Sequence, residues 1–378
     1  MKILKSFLWL ALVWLTASPA MAQYERLGGI YYAYPVTQTE MAKAPAGYEP
    51  FYISHYGRHG SRWVTNDKRY IWVCRHFDDT KNLTKLGRDV RKRLAKVWKN
   101  AEGNGGKLSP LGARQHRAIA KRMYENFPQV FTPAAHLTAH SSVVGRCQES
   151  MRNFLESLES LASLDHLAPL ASLDNLASLD RLDRLDRLER LDPLDHLAGV
   201  ADSADMSWIA YTSPETKALE DRTVIPLRVS PDRFIKALFV DPSKVKKPAK
   251  LFTEMHTIAS DMQDVELNIN LFDLFTEEEL RAVYEQNNAR MTRCNGNDIL
   301  NEGIPARSAI SLWQRIEADA DAAIARGGTG ADLRFGHDTN LYRLLTLMKP
   351  QQVLCGVDRM DEILPMAANL QMIFYRNE

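Results

Sequence analysis

Residues 50–62 of the chain read PFYISHYGRHGSR. The first seven residues are apolar and aromatic and are followed by Gly57, which predicts a short buried strand running into a loop. That loop carries Arg58, His59 and Arg62. Arginine offers a fork of N–H donors that matches phosphate oxygens. We therefore expect the loop to bind one tetrahedral anion.

A second segment of the same kind lies far downstream. Residues 331–336 read ADLRFG and predict another strand, which is followed directly by His337 and Asp338. In open α/β sheets the carboxyl ends of the strands form the ligand crevice, so we expect both segments to line one cleft. There His59 would attack phosphorus, the arginines would neutralise its oxygens, and Asp338 would protonate the leaving oxygen. Either motif alone is more often structural, whereas the two together are specific.

The flanking sequence alternates predicted strands and helices, while the middle of the chain is mainly helical. This pattern favours an α/β core interrupted by a helical insertion. Two further strands are predicted, over 136–141 and 367–376. The predicted helices cover 84–100, begin at Ser109-Pro110 and at about Cys147, run from the capping box Thr276-Glu279 to about Met291 and from Pro305 to near Gly327, and cover 339–348. The apolar face of the first of these helices would consist of Leu86, Val90, Leu94 and Val97, and that of the helix from Pro305 of Ala309, Trp313, Ile316 and Ala320.

A leucine falls at every third position from Leu155 to Leu197, fifteen in all. An α-helix turns about 100° per residue, so this period moves leucine around the whole helix and gives no single apolar face. Pro169 and Pro193 would also interrupt a helix. We interpret residues 155–197 as an expanded low-complexity repeat in a surface region that is dispensable for chemistry. A specific interaction role is the alternative.

The charge of the chain is balanced overall but uneven along its length. The 48 Lys+Arg and 47 Asp+Glu leave a net charge of +1, which argues against a nucleic-acid binder with a basic tail. Between His55 and Arg122, however, 18 Lys/Arg stand against 5 Asp/Glu, a local net of +13. This excess favours a small anionic ligand, although solvated helix faces would give the same count.

The first 22 residues have the features of a secretory signal peptide. Lys2 and Lys5 precede an apolar run, and Ala20-Met21-Ala22 forms a small-x-small cleavage site. The run is too short to span a bilayer. We expect an exported, periplasmic protein without stable membrane insertion.

Export permits disulfides among the four cysteines Cys74, Cys147, Cys294 and Cys355. The three possible pairings, a single bridge and no bridge at all stay open, and so does the oligomeric state. No C-x-x-C metal or redox motif is present in the sequence.

RHGSR followed by HDTN resembles the histidine acid phosphatase branch of the histidine phosphatase superfamily. The resemblance extends to FYISHYGRHGSR, LSPLGARQHRAIAKRMYENFP, SSVVGRCQESMRNF, LRFGHDTNLYRLL and PMAANLQMIFY. Together these are most similar to bacterial histidine-type phosphatases related to multiple inositol-polyphosphate phosphatases and phytases. The similarity covers about residues 24–154 and 306–375 and is thin between them.

The resemblance implies a role for each site residue. His59 would become the phosphohistidine, and Asp338 would act as the acid and then help to activate water. The residues that would bind the phosphoryl group are Arg58, Arg62, Arg146 and His337. The family uses neither a metal nor another cofactor. Animal inositol-polyphosphate phosphatases carry His-Ala-Glu where this chain has His-Asp-Thr, the form found in acid phosphatases and bacterial phytases.

These observations predict a phosphoglycerate-mutase-like α/β core, residues 23–154 and 302–378, with a helical insertion over residues 155–301. The predicted function is hydrolysis of phosphomonoesters such as phytate. The alternatives are a broad acid or sugar phosphatase and, from another class, an inactive exported binding protein that uses the leucine repeat as its interaction segment.

Overall fold

The computed structural model describes residues 19–35, 44, 46–132, 134–164, 207–349 and 359–377. Within them a four-stranded sheet lies between two layers of helices. Its order is β2-β3-β1-β4, with β3 parallel to both neighbours and β4 antiparallel to β1. The predicted α/β class is confirmed. The strands are β1 (Glu49–Arg58), β2 (His136–Ser141), β3 (Gly330–Gly336) and β4 (Asn369–Arg376).

Helices connect and cover these strands, and several begin at capping residues, of which those at Ser109 and Thr276 were predicted from the sequence. The Thr84 and Ser109 side chains accept backbone N–H groups at two helix starts, and Thr276 with Glu279 forms a complete capping box. The helices are α1 (Pro19–Arg26), α2 (Asp67–Arg75), α3 (Lys85–Ala101), α4 (Pro110–Asn126), α5 (Gly145–Leu164), α6 (Pro214–Arg222), α7 (Asp232–Leu238), α8 (Pro248–Asp261), α9 (Glu277–Asn295), α10 (Ile304–Ser308), α11 (Ile310–Arg326), α12 (Asp338–Met348) and α13 (Met360–Ile363).

Three predicted helices differ from the structure in detail. Helix α9 continues past Met291 to Asn295. The helix predicted from Pro305 is two helices, α10 and α11, because Ala309 adopts φ −89° and ψ −6°, outside regular helix geometry. In α3 the apolar stripe is narrower than predicted, since Leu86 is 37% exposed.

The two faces of the sheet have separate cores. Helices α4 and α5 pack on one face, where Ile53 and Leu333 are buried. Helices α11 and α12 pack on the other, around Tyr56 and Leu341. Covering both faces leaves the carboxyl ends of β1 and β3 as the open edge on which a site can form.

A helical body packs beside the sheet. Helices α2 and α3 share one apolar cluster with α7, α8 and α9, centred on Phe234, Phe252 and Phe275. This cluster draws residues from both sides of the boundary expected at residue 155. The division into 23–154, 155–301 and 302–378 stays a prediction.

The beginning of the leucine repeat contributes to the core, so the expectation of a surface segment is wrong for these residues. Helix α5 extends to Leu164, Leu158 is 2% exposed, and Leu155 and Leu161 pack against the same cluster. A period of three shifts position by only about 60° per leucine, so three successive leucines still share one helix face. The rest of the repeat lies outside the described residues.

Other predictions fall partly outside the described residues. The predicted signal peptide, residues 1–22, is described only from Pro19, where α1 begins. In the part of the chain that is described, no helix combines the length and apolar character needed to cross a bilayer. Cys74, Cys147 and Cys294 are free thiols, and Cys355 is not among the described residues.

Candidate active site

The two segments singled out in the sequence meet at the open edge of the sheet. Strands β1 and β3 are parallel and in register, so that Arg58 pairs with Gly336. The His59 N–H donates to the Gly336 carbonyl at 3.0 Å. The His59 and His337 rings stand edge to face with their centroids 5.6 Å apart. Parallel pairing thus places the residues that follow each strand side by side.

The loop after β1 is held by the first turn of α4. Its Ser61 N–H donates to the Gln115 side chain at 2.8 Å, and the Ser61 carbonyl accepts from the Ser109 N–H at 2.8 Å. Gly60 lies so close to Gly112 that an added Cβ would stand 2.6 Å from the Gly112 carbonyl oxygen. Glycine is therefore required beside His59, and the loop backbone is fixed before any ligand binds.

His59 is buried and its tautomer is set by the backbone. Its Nδ1 lies 2.9 Å from the Gly60 carbonyl, which can only accept, so Nδ1 carries the proton and Nε2 keeps its lone pair. Burial lowers the pKa of His59 well below its usual range, and the nearby charges of Arg58, Arg146 and Arg62 lower it further. The imidazole is therefore neutral, as a nucleophile must be.

Three guanidinium groups bring positive charge to this neutral imidazole. Arg58 is fully buried and donates through Nη1 to the carbonyls of Ile30, at 2.8 Å, and Leu364. Arg62 donates to the Trp63 carbonyl at 3.0 Å, and Arg146 lies in the first turn of α5.

These guanidinium groups are only partly satisfied. The buried Nε atoms of Arg58, Arg62 and Arg146 have no hydrogen-bond partner among the described residues. Buried donors without partners are costly, so an anion that supplies acceptors is favoured here.

Asp338 and His337 complete the cluster from the start of α12. Asp338 Oδ2 lies 3.0 Å from Nη2 of Arg58, and Oδ1 accepts the Thr339 N–H at 2.8 Å. Burial alone would raise the pKa of Asp338. The charge of Arg58, together with His337, Arg62 and the Thr339 N–H, outweighs burial and holds this pKa below the usual range. Burial and the Arg146 charge lower the pKa of His337 to about 4. At neutral pH Asp338 is therefore ionised and His337 is neutral.

A cavity of approximately 360 Å³ lies beside this cluster, and its wall contains neighbours of the six residues but none of the six themselves. Thr339, next to Asp338, lines it, and so do Ile30, whose carbonyl holds Arg58, and Tyr31, whose ring lies 5.0 Å from the Arg62 guanidinium. More distant parts of its wall include Arg69, Asn288 and Arg290. The position of the cavity suits the part of a ligand that extends beyond a bound phosphate.

The structure brings all six residues singled out in the sequence, namely Arg58, His59, Arg62, Arg146, His337 and Asp338, into one cluster of mutually interacting charges and rings. Sequence reasoning missed two buried acids below the loop, Asp261 and Asp264. The available signal was a pair of acids three residues apart at the end of the otherwise apolar stretch IASDMQD.

No protein-family model matches the sequence, and a search of curated proteins finds no match. Solved structures do match. The apo multiple inositol polyphosphate phosphatase of Bifidobacterium longum superposes with a TM-score of 0.69 at 16% identity, covering 93% of this chain and 88% of that chain. Its complex with inositol hexasulfate gives a TM-score of 0.67 at 15% identity, with the same coverage.

A phytase from D. castellii superposes with a TM-score of 0.56 at 13% identity, covering 95% of this chain and 79% of that chain. At these identities the likeness concerns the fold. The chain therefore shares the α/β fold of these inositol polyphosphate phosphatase and phytase structures.

Proposed function

We propose that the protein hydrolyses phosphomonoesters through a phosphohistidine at His59. The observation that carries the proposal is a neutral imidazole, with its lone pair on Nε2, beside guanidinium nitrogens that lack partners. A phosphate ester supplies both the acceptors that the arginines lack and the electrophile that the imidazole needs. The shared fold with enzymes named as phosphatases supports this choice.

In the first step, Nε2 of His59 attacks phosphorus, a P–N bond forms and the ester P–O bond breaks. Charge spreads over the equatorial oxygens, where Arg58, Arg62 and Arg146 are placed to stabilise it. The Nδ1–H bond to the Gly60 carbonyl stabilises the positive charge that the imidazole acquires on attack.

The leaving alkoxide needs a proton, which we assign to Asp338. This carboxylate is ionised in the free site because Arg58 pairs with it. A bound phosphate competes for the same guanidinium and adds negative charge nearby, and both effects raise the pKa of Asp338. Binding of the ester thus lets Asp338 take up the proton that it then gives to the leaving oxygen.

In the second step, water attacks the phosphohistidine, the P–N bond breaks and inorganic phosphate is released. Asp338, now ionised again, accepts the proton of the attacking water. Nε2 recovers its lone pair, and Asp338 loses its proton to solvent as phosphate leaves, so that the site returns to its starting charge.

For the substrate we propose inositol polyphosphates such as phytate. The support is that the structures sharing this fold are named as an inositol polyphosphate phosphatase, one of them in complex with inositol hexasulfate, and a phytase.

A sugar or broad acid phosphatase is the second candidate, and the cavity wall favours it. Arg69 is paired with Glu254 at 2.7 Å, and Arg290 donates to the carbonyls of Glu220 and Thr223. Both arginines thus have partners before any second phosphate binds.

Trapping the intermediate tests the proposed reaction. The purified protein is mixed with radiolabelled ester, quenched in alkaline denaturant, because P–N bonds are labile in acid, and separated on a gel. We expect a label in the parent and in the control variant His76→Ala, which changes the histidine that directly follows α2, and none in His59→Ala. A parent that neither labels nor releases phosphate would favour the inactive binding protein instead.

A phosphate-release panel separates the two substrate candidates. Phytate, glucose 1-phosphate and p-nitrophenyl phosphate are compared at equal concentration. The highest kcat/KM with phytate supports the first candidate, and the highest kcat/KM with glucose 1-phosphate supports the second.

We also propose export with cleavage before Gln23. N-terminal sequencing of protein recovered from a periplasmic fraction tests this, and a mature chain that begins at Met1 would contradict it.

A further inference from the structure

Asp261 and Asp264 are fully buried directly below the loop that carries Arg62. Asp261 is the last residue of α8, and Asp264 follows in the next turn, where its N–H donates to the Asp261 carbonyl at 3.0 Å. Buried carboxyl groups are rare unless they are paired or hydrogen-bonded. The six-residue site described above does not include either of them.

Both carboxyl groups bind the loop. Ser61 Oγ donates to Asp264 Oδ1 at 2.6 Å, and the Val64 N–H donates to Asp261 Oδ2 at 3.1 Å. The Tyr70 hydroxyl donates to the same Asp261 oxygen at 2.8 Å. Residues 61–64 are thus attached at both ends to one turn of the helical body, with Arg62 between the attachment points.

Each carboxyl group also has one oxygen without a partner. Asp261 Oδ1 and Asp264 Oδ2 are buried and make no hydrogen bond within the described residues. Two carboxylates whose charges interact cannot both ionise at low cost in a buried site, and one proton held between them removes the repulsion. Asp261 accepts two hydrogen bonds and Asp264 accepts one, so the carboxylate charge is better placed on Asp261.

We propose that Asp261 and Asp264 hold one shared proton, position Arg62, and set the upper pH at which the site binds phosphate. Below that pH the pair carries one negative charge beside Arg62. Above it, loss of the proton adds a second negative charge, which opposes the bound anion. The inference rests on the proposed function only in that Arg62 binds the phosphate.

The surrounding groups agree with this assignment. Burial raises the pKa of both carboxyl groups, and the charge of Asp261 raises that of Asp264 further, so Asp264 is the last of the two to lose its proton. Burial opposes the charge of Arg62, but Tyr31 and the two acids still raise its pKa, so it stays a cation. The titratable and charged groups that face the pair are Arg58, Arg62, Arg69 and Tyr70.

The sign of the stability effect follows from the raised pKa values. The native state holds a proton that the unfolded chain, with Asp at about 3.9, has already lost. The contribution of the pair to stability is therefore greatest below about pH 4 and falls as the pH rises through the raised pKa values of the pair.

Binding of inorganic phosphate, measured by calorimetry between about pH 5 and about pH 8, tests the proposal. Asp264→Asn keeps the shape of the protonated carboxyl and cannot lose that proton. Sulfate, whose charge is constant over this range, serves as a second probe. Asp221→Asn, at an exposed position on α6, is the matched control.

As the pH rises across this range, sulfate binding by the parent and by the control should weaken. We expect this loss of affinity to be about tenfold larger than the loss for Asp264→Asn, because one pKa unit of coupling corresponds to a tenfold change in affinity. Ser61→Ala removes a bond that favours ionised Asp264, so it should move the weakening to higher pH. If Asp264→Asn does not fold, Ser61→Ala decides the question.

Parallel pH profiles for the parent and both variants overturn the proposal, even if the variants melt at lower temperature. Failure of the proposed function gives a different result, because the parent then binds phosphate with the expected pH dependence but does not turn over p-nitrophenyl phosphate. A parent that binds neither anion at any pH overturns both.

Discussion

The loop Arg58–Arg62 and the helical core around Phe252 are both buried. The side chains of the core are packed or paired, whereas some polar atoms of the loop have no hydrogen-bond partner. Phe252 packs at 5.2 Å from the rings of both Phe234 and Phe275. At the edge of this core the charges are paired, as where the Arg233 Nε donates to Glu279 at 2.7 Å.

In the loop, by contrast, buried guanidinium nitrogens have no partner. The core stabilises the fold, whereas the loop is held at a cost that only a bound anion removes. Four substitutions test this difference.

His59→Ala should have the largest effect. The arginines supply the attraction for the anion and the imidazole supplies only the nucleophile, so turnover of p-nitrophenyl phosphate should fall by several orders of magnitude. The dissociation constant for inorganic phosphate and the melting temperature should stay close to those of the parent. Activity that remains within tenfold of the parent would remove His59 as the nucleophile.

Asp338→Asn should act in proportion to how poor the leaving group is. The substitution keeps the shape but removes the proton, and general acid catalysis is typically worth about 10²–10⁴-fold. Single-turnover phosphorylation should slow by that order with phytate and much less with p-nitrophenyl phosphate, which leaves readily without a proton. Equal losses with both esters would assign the acid to another residue.

Phe252→Ala should lower stability and leave activity almost unchanged, because it changes the core and leaves the loop intact. Replacing a buried phenylalanine with alanine costs about 3–5 kcal/mol. Urea unfolding should show this loss, while kcat at a temperature where the variant is folded should be nearly that of the parent. A specific loss of kcat in the folded variant would mean that the helical core controls the site directly.

Changes in the leucine repeat should have the smallest effects, and they compare the first leucines, which lie in α5, with the rest of the repeat. Leu158→Ala should destabilise the protein by about 2–5 kcal/mol, since this side chain is buried against the sheet. Replacing residues 167–196 with a Gly/Ser linker should preserve soluble expression and phosphatase activity, because every assigned site residue lies elsewhere. Loss of all soluble protein with the linker would extend the contribution of the repeat to folding beyond α5.

Local sequence patterns predicted most elements of the fold and failed where packing decides. The caps at Thr84, Ser109 and Thr276 act within three or four residues, so their helices could be placed from sequence. The first leucines of the repeat were misjudged because a periodicity argument over 43 residues does not apply to residues 155–164, the only part of the repeat that lies in α5.

The amino-acid sequence by itself indicated the α/β class, the strand before RHGSR, the strand before HDTN and the two segments that carry five of the six candidate-site residues. Arg146 was identified only by the family resemblance. These signals are local, since apolar runs, glycine and helix caps act on neighbouring residues. Only the tertiary structure decided that Arg58 pairs with Asp338, that His59 is neutral with its proton on Nδ1, and that Asp261 and Asp264 lie below Arg62. The charge of a buried group depends on burial and on neighbours from distant parts of the chain, and both exist only once the chain has folded.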